Sequence, residues 1–93
     1  MAVSVNPKPS DGPLNGNAPT AQLAIKVGNA GTVIGYFAQP GKPVVEILRG
    51  TLLPGQNRVV FPLPTPPAPP GSELRVVVKE AGNPSQVLIY RFA

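Results

Sequence analysis

Few groups in this chain can carry acid–base chemistry. Its 93 residues include no histidine and no cysteine, and the only carboxylates are Asp11, Glu46, Glu73 and Glu80. General acid–base catalysis near neutral pH falls most often to His, and thiol chemistry needs Cys. A carboxylate pair could hydrolyse a glycosidic bond. Glu73 and Glu80, however, sit seven positions apart in one apolar run, and on a strand that spacing sends them to opposite faces. Glu46 reads as a solvated strand residue, and Ser10, Ser72 and Ser85 lie in loop-forming sequence with no base beside them. The inventory leads us to expect a protein that is not an enzyme and has no catalytic residues.

Metal and cofactor sites are similarly unsupported. Zinc prefers Cys and His ligands. Calcium needs several oxygen ligands from one loop. Asp11 with Asn6, Asn15 and Asn17 supplies a single charge. Gly28-Asn29-Ala30-Gly31 lacks the glycine spacing and following helix of a phosphate loop, and reads as a hairpin turn. We expect no cofactor and no metal.

The elements that must position any surface are strands. Fourteen Pro and ten Gly punctuate a chain that is 42% hydrophobic and 13% charged. Its Val, Leu and Ile cluster in short runs, which indicates strands joined by stiff loops and not a disordered polymer. Residues 1–20 hold Pro7, Pro9, Pro13 and Pro19 among Asn, Gly and Ser, so they read as an extended arm, loose in the free protein. Val3, Val5 and Leu14 are its apolar anchors. Residues 21–93 form the domain proper. Strands are expected at Ala21 to Gly28, Thr32 to Ala38, Val44 to Arg49, Arg58 to Leu63, Glu73 to Glu80 and Gln86 to Phe92.

Particular residues shape these strands. Gly35 suggests a bulge or a close backbone approach. Pro54-Gly55 suits a type II turn. Pro62 cannot donate to a ladder, which places its strand at a sheet edge. Between Pro62 and Pro70, six prolines form a polyproline II segment, either a rigid crossover between sheets or a ligand for an SH3-like groove. Short strands with turn signals about ten residues apart predict an all-β sandwich of six or seven antiparallel strands, or else a partly open barrel.

The last two strands suggest a hairpin with Val78 opposite Leu88, Val76 opposite Tyr90 and Leu74 opposite Phe92. In that register Arg75 faces Arg91 and Val77 faces Ile89 on the outer side. Like charges facing one another cost stability unless a partner carboxylate lies between them. Arg75, Val77, Ile89 and Arg91 therefore fit a contact patch for an acidic partner. Alternatively, the arginines splay into water and the arm covers the two aliphatic residues.

The chain carries eight basic and four acidic residues, a net +4. It has no basic run interleaved with aromatics, so nucleic acid is not the favoured partner. The start lacks the basic and apolar regions of a secretory signal, and no run of about 18 apolar residues occurs to span a membrane. We expect synthesis in the cytoplasm, and retention there or building into something larger.

Three stretches carry a resemblance: Gly41-Lys42-Pro43-Val44-Val45-Glu46-Ile47-Leu48, then Leu53-Pro54-Gly55-Gln56-Asn57-Arg58-Val59-Val60-Phe61, then Pro70-Gly71-Ser72-Glu73-Leu74-Arg75-Val76-Val77-Val78. Their strand–turn–strand rhythm resembles immunoglobulin-like modules of the kind found in virion decoration (cement) proteins and flagellar hook-capping proteins. The chain departs from antibody-type domains in having neither Cys nor Trp. The resemblance implies an immunoglobulin-like sandwich and no catalytic residues. With the inventory, it leads to the expectation of a bacteriophage capsid decoration subunit, located in the virion. Such a subunit would bind a major capsid or other assembly protein through its surface and arm, with a homo-oligomer possible. The alternative is an immunoglobulin-like carbohydrate- or receptor-binding module.

Overall fold

The computed structural model describes residues 3–64 and 66–93. Met1, Ala2 and Thr65 lie outside the described residues, and with them the first positions of the arm and one position of the proline segment. Among the described residues seven strands form two antiparallel sheets: β1 (Ser4–Asn6), β2 (Thr20–Val27), β3 (Gly31–Ala38), β4 (Val45–Leu52), β5 (Gly55–Pro62), β6 (Glu73–Glu80) and β7 (Gln86–Arg91). The smaller sheet has the order β1-β2-β5 and the larger the order β4-β3-β6-β7. This is an all-β sandwich of two antiparallel sheets. Its fourth strand pairs with β3, whereas in an antibody constant domain that strand joins the other sheet.

Alternation explains why the layers close. Ala21, Leu23, Ile25 and Val27 of β2 are buried, as are Val59 and Phe61 of β5. From the larger sheet, Val33, Phe37, Leu74, Val76, Val78 and Tyr90 join them in one core. Every second residue along a strand faces inward, so the two sheets bury complementary apolar faces.

Gly35 does both of the things its position suggested. The β3–β4 register shifts between Gly35 and Tyr36, leaving Ile47 as the extra residue on β4. A Cβ on Gly35 would also lie 2.5 Å from Cδ2 of Phe61, so only glycine lets the large ring of the opposite sheet approach β3. Pro62 lies at the end of edge strand β5, opposite Thr20. Leu63 N donates to Pro19 O, so odd-numbered residues of β5 direct their backbone groups toward β2. Pro62 therefore presents its missing donor to the open side.

Over the described residues the arm lies along the body. Ser4–Asn6 pairs with Ala24–Lys26 as strand β1. Pro9–Asp11 forms a 3-10 turn in which Lys8 N donates to the Asp11 carboxylate at 2.8 Å. Leu14 bridges Phe92 in parallel, Leu14 N donates to Arg91 O, and Ala93 N donates to Leu14 O. Ala68 N then donates to Gly16 O. The prolines rule out helix but not extended pairing, and Val3, Val5 and Leu14 gain burial against the core.

Candidate interaction surface

The hairpin register differs from the sequence expectation by two residues. Leu74 faces Tyr90, Val76 faces Leu88 and Val78 faces Gln86. A shift of two keeps every side chain on its own face, so alternation cannot detect it. The turn decides. Asn83 N donates to Glu80 O at 3.0 Å, and Gly82 takes φ +84°. A tight turn over Glu80–Asn83 pulls β7 two positions along β6.

Arg75 and Arg91 consequently do not face each other. Arg75 lies opposite Ile89, Val77 opposite Val87, and Arg91 opposite Glu73. Glu73 is ion-paired with Arg75 at 2.9 Å. The like-charge confrontation expected from the sequence is replaced by a cation beside a carboxylate.

The surface itself is larger than the sequence indicated. Ladder partners form rows across the outer face of the four-stranded sheet. One row is Arg49, Ile34, Val77 and Val87, and the next is Glu46, Tyr36, Arg75 and Ile89. Val87 and Ile89 are 59% and 46% exposed, while Ile34, Tyr36 and Val77 are half-buried. These five residues make an apolar strip. Around it lie Arg49 paired with Glu46 at 2.8 Å, Arg75 paired with Glu73, Lys79 beside Thr32, and Arg91. The Arg49 guanidinium bonds the Glu46 carboxylate and holds its pKa below the ordinary value. Lys79 donates to the carbonyls of Glu80 and Asn83, which leave its charge uncompensated.

Four of the eight cations thus frame this face. The outer face of the smaller sheet is different: Gln22, Ala24, Lys26, Gln56, Arg58 and Val60 line it, with Arg58 donating to Gln22 Oε1 at 2.9 Å. Val60, 41% exposed, stands there beside Gln22 as the one exposed large aliphatic residue of this face among the described residues, so no apolar strip forms.

Of the residues singled out from sequence, Arg75, Val77, Ile89 and Arg91 share the outer face. Val3, Val5 and Leu14 do not join them, because each packs against the core. Ile34, Tyr36 and Val87 were missed. In β3 apolar residues occupy both parities, so alternation alone could not tell its inner from its outer face.

Among the described residues Glu80 is the one buried carboxylate, 1% exposed. It accepts from Gly28 N at 2.5 Å, Asn29 N at 2.6 Å and Asn83 Nδ2 at 2.8 Å. The Asn29 amide, followed by those of Gly28 and Asn83, holds its pKa below the ordinary carboxylate value against the opposing effect of burial. An ionised acceptor in this position ties the β2–β3 turn to the end of β6. It is neither a proton donor nor beside a second carboxylate.

Among the described residues no group of three or more His, Cys, Asp or Glu is placed to hold a metal ion, and no helix is long and apolar enough to cross a membrane. Comparison with protein-family models, curated proteins and solved structures found no match.

Proposed function

We propose that this chain is a non-catalytic structural subunit that attaches to a larger protein assembly through the outer face of its four-stranded sheet. In the reading we favour, that assembly is a bacteriophage capsid and the chain is a decoration subunit. The observation that carries this proposal is the strip of Ile34, Tyr36, Val77, Val87 and Ile89, exposed in part and framed by Arg49, Arg75, Lys79 and Arg91. An apolar centre with a charged rim is the usual anatomy of a protein contact, and the excess of cations favours an acidic partner surface. Many weak copies on a symmetric lattice would gain avidity without a tight single contact.

The docked arm changes how attachment works. Val5 and Leu14 are already committed to the body, so the sheet face and not a free arm supplies the contact area.

The test is sedimentation of a lysate of the producing cells through a density gradient, with the chain detected by antibody. The proposal expects the chain in the fractions of a large particle. Recovery only at the top of the gradient, while intact particles sediment normally, would overturn it.

A further inference from the structure

The 3-10 turn of the arm packs beside β7 without closing on it. Between them lies a cleft of about 380 Å³, with Pro9, Ser10 and Pro13 on the arm side and Ile89, Arg91 and Phe92 on the other. Ile89 belongs both to this wall and to the apolar strip, so cleft and strip are continuous. The docked arm forms a ridge along one border of the four-stranded face.

Backbone direction supplies an unused donor on this side of β7. Ala81 N donates to Ala30 O, so odd-numbered residues at that end of β6 face β3 and even-numbered ones face β7. The β6–β7 register pairs even with even, which turns the odd-numbered groups of β7 away from β6. Leu14 agrees, since it meets Arg91 O and Ala93 N from that side. Ile89 therefore directs its N–H and C=O toward the arm, and neither has a hydrogen-bond partner among the described residues. The arm holds the prolines at 9 and 13 across the cleft, and these have no N–H to give.

Arg91 adds a charge. Its ladder partner Glu73 is engaged by Arg75 at 2.9 Å, and among the described residues no carboxylate lies within ion-pair distance of Arg91. Asp11 accepts from Lys8 N and is not part of the cleft wall. Ser10, exposed in the turn, brings a hydroxyl. A guanidinium, a free N–H and a hydroxyl among proline, isoleucine and phenylalanine walls make a small apolar site with donors for one anionic group.

We propose that this cleft binds a carboxylate: an acidic side chain of the protein that meets the four-stranded sheet. Its oxygens accept from the Arg91 guanidinium and from Ile89 N–H, and its aliphatic stem lies against Pro9, Pro13 and Phe92. A planar carboxylate matches the guanidinium fork, and the apolar walls strengthen the bond by excluding water. The site rests on the attachment reading and deepens it, because it names the group by which the partner is anchored and gives the docked arm a part in the contact.

Nuclear magnetic resonance of the full chain tests the site with no particle present. The probes are two blocked dipeptides, acetyl-Glu-Leu-amide and acetyl-Gln-Leu-amide. The expected result is a saturable downfield shift of the Ile89 amide proton with the Glu probe, at a dissociation constant of roughly 1–10 mM, and a response at least fivefold weaker with the Gln probe. Arg91→Gln should weaken the Glu probe to the same degree, and Lys26→Gln, on the outer face of the smaller sheet, should not. No shift at Ile89, equal responses to the two probes, or a folded Arg91→Gln variant that binds the Glu probe unchanged would each overturn the proposal. Attachment is read separately, with particles stripped of the native chain. Arg91→Gln should bind them at least tenfold more weakly than wild type. Normal attachment of this variant overturns the anchor and leaves the sheet reading standing. Failure of the wild-type chain to attach overturns the sheet reading, and the proposal with it.

Discussion

The Tyr90 hydroxyl donates a hydrogen bond of 2.6 Å to the carbonyl of Pro7, 83 positions earlier in the chain. The ring is fully buried, and its oxygen reaches the arm. Burial, and secondarily the charge of Asp11, raise the phenol pKa from 10.0 to about 12. A side chain of the last strand thus pins the crossing from β1 to the 3-10 turn.

Tyr90→Phe keeps the ring and removes the pin. Stability should fall by about 1 kcal/mol, the usual net value of one hydrogen bond. Hydrogen exchange should show faster exchange at Asp11 and Leu14, with the core amides of β2 and β6 little changed. Urea titration gives the first quantity and exchange mass spectrometry the second.

Gly35→Ala places a methyl group within 2.5 Å of Phe61. Overpacking of this kind costs roughly 1–3 kcal/mol. Phe61→Leu should be destabilising alone yet partly rescue Gly35→Ala, a coupling that a double-mutant cycle of unfolding free energies would measure. Gly50→Ala, whose Cβ would meet only Val33 Cγ1 at 3.9 Å, should be nearly neutral.

Acid should destabilise the fold through Glu80. Its folded pKa is depressed, so its contribution is present above the ordinary carboxylate pKa and is lost as pH falls through the lower folded value. Melting temperature followed against pH should show that acid limb, and Glu80→Gln should flatten it while lowering the neutral plateau. Tyr90 acts at the other end. Its raised pKa gives a contribution intact below pH 10.0 and lost as pH rises through about 12. Phenolate absorbance should show one tyrosine ionising together with the loss of structure.

Leu14→Ala tests the docked arm. A half-buried leucine at the Phe92 bridge should contribute roughly 1–2 kcal/mol, below the range for fully buried sites. A loose arm would show no measurable change in urea titration.

Much of the fold was legible because alternation is a strong signal. The burial of Leu23, Ile25 and Val27 against exposed Gln22 and Lys26 follows from the period of two, and Glu73–Glu80 agrees in both bounds with its expected strand. The glycine at 35 and the proline at 62 announced a close approach and an edge through backbone chemistry alone. The hairpin register was not legible, because a slip of two preserves every face and only the turn at Gly82 selects it. The docking of the arm was hidden for a related reason. Its partners, Ala24–Lys26, Ala68, Tyr90 and Phe92, are distant in sequence, and proline content reports what an arm cannot form and not what it lies upon. The outer strip was seen in part, through Val77 and Ile89. Ile34 and Tyr36 joined it only once β3 was placed beside β6.

The account depends on the larger sheet, and not the smaller, meeting the assembly. Two paired variants separate these faces while sparing the β7 edge: Tyr36→Ser with Val77→Ser on the four-stranded sheet, and Ala24→Ser with Val60→Ser on the three-stranded one. Each is mixed with particles stripped of the native chain, and the bound fraction is read after gradient sedimentation. The account predicts at least a tenfold loss of binding for the first pair and near wild-type binding for the second. Full binding by the first pair, with its fold intact by circular dichroism, would contradict it.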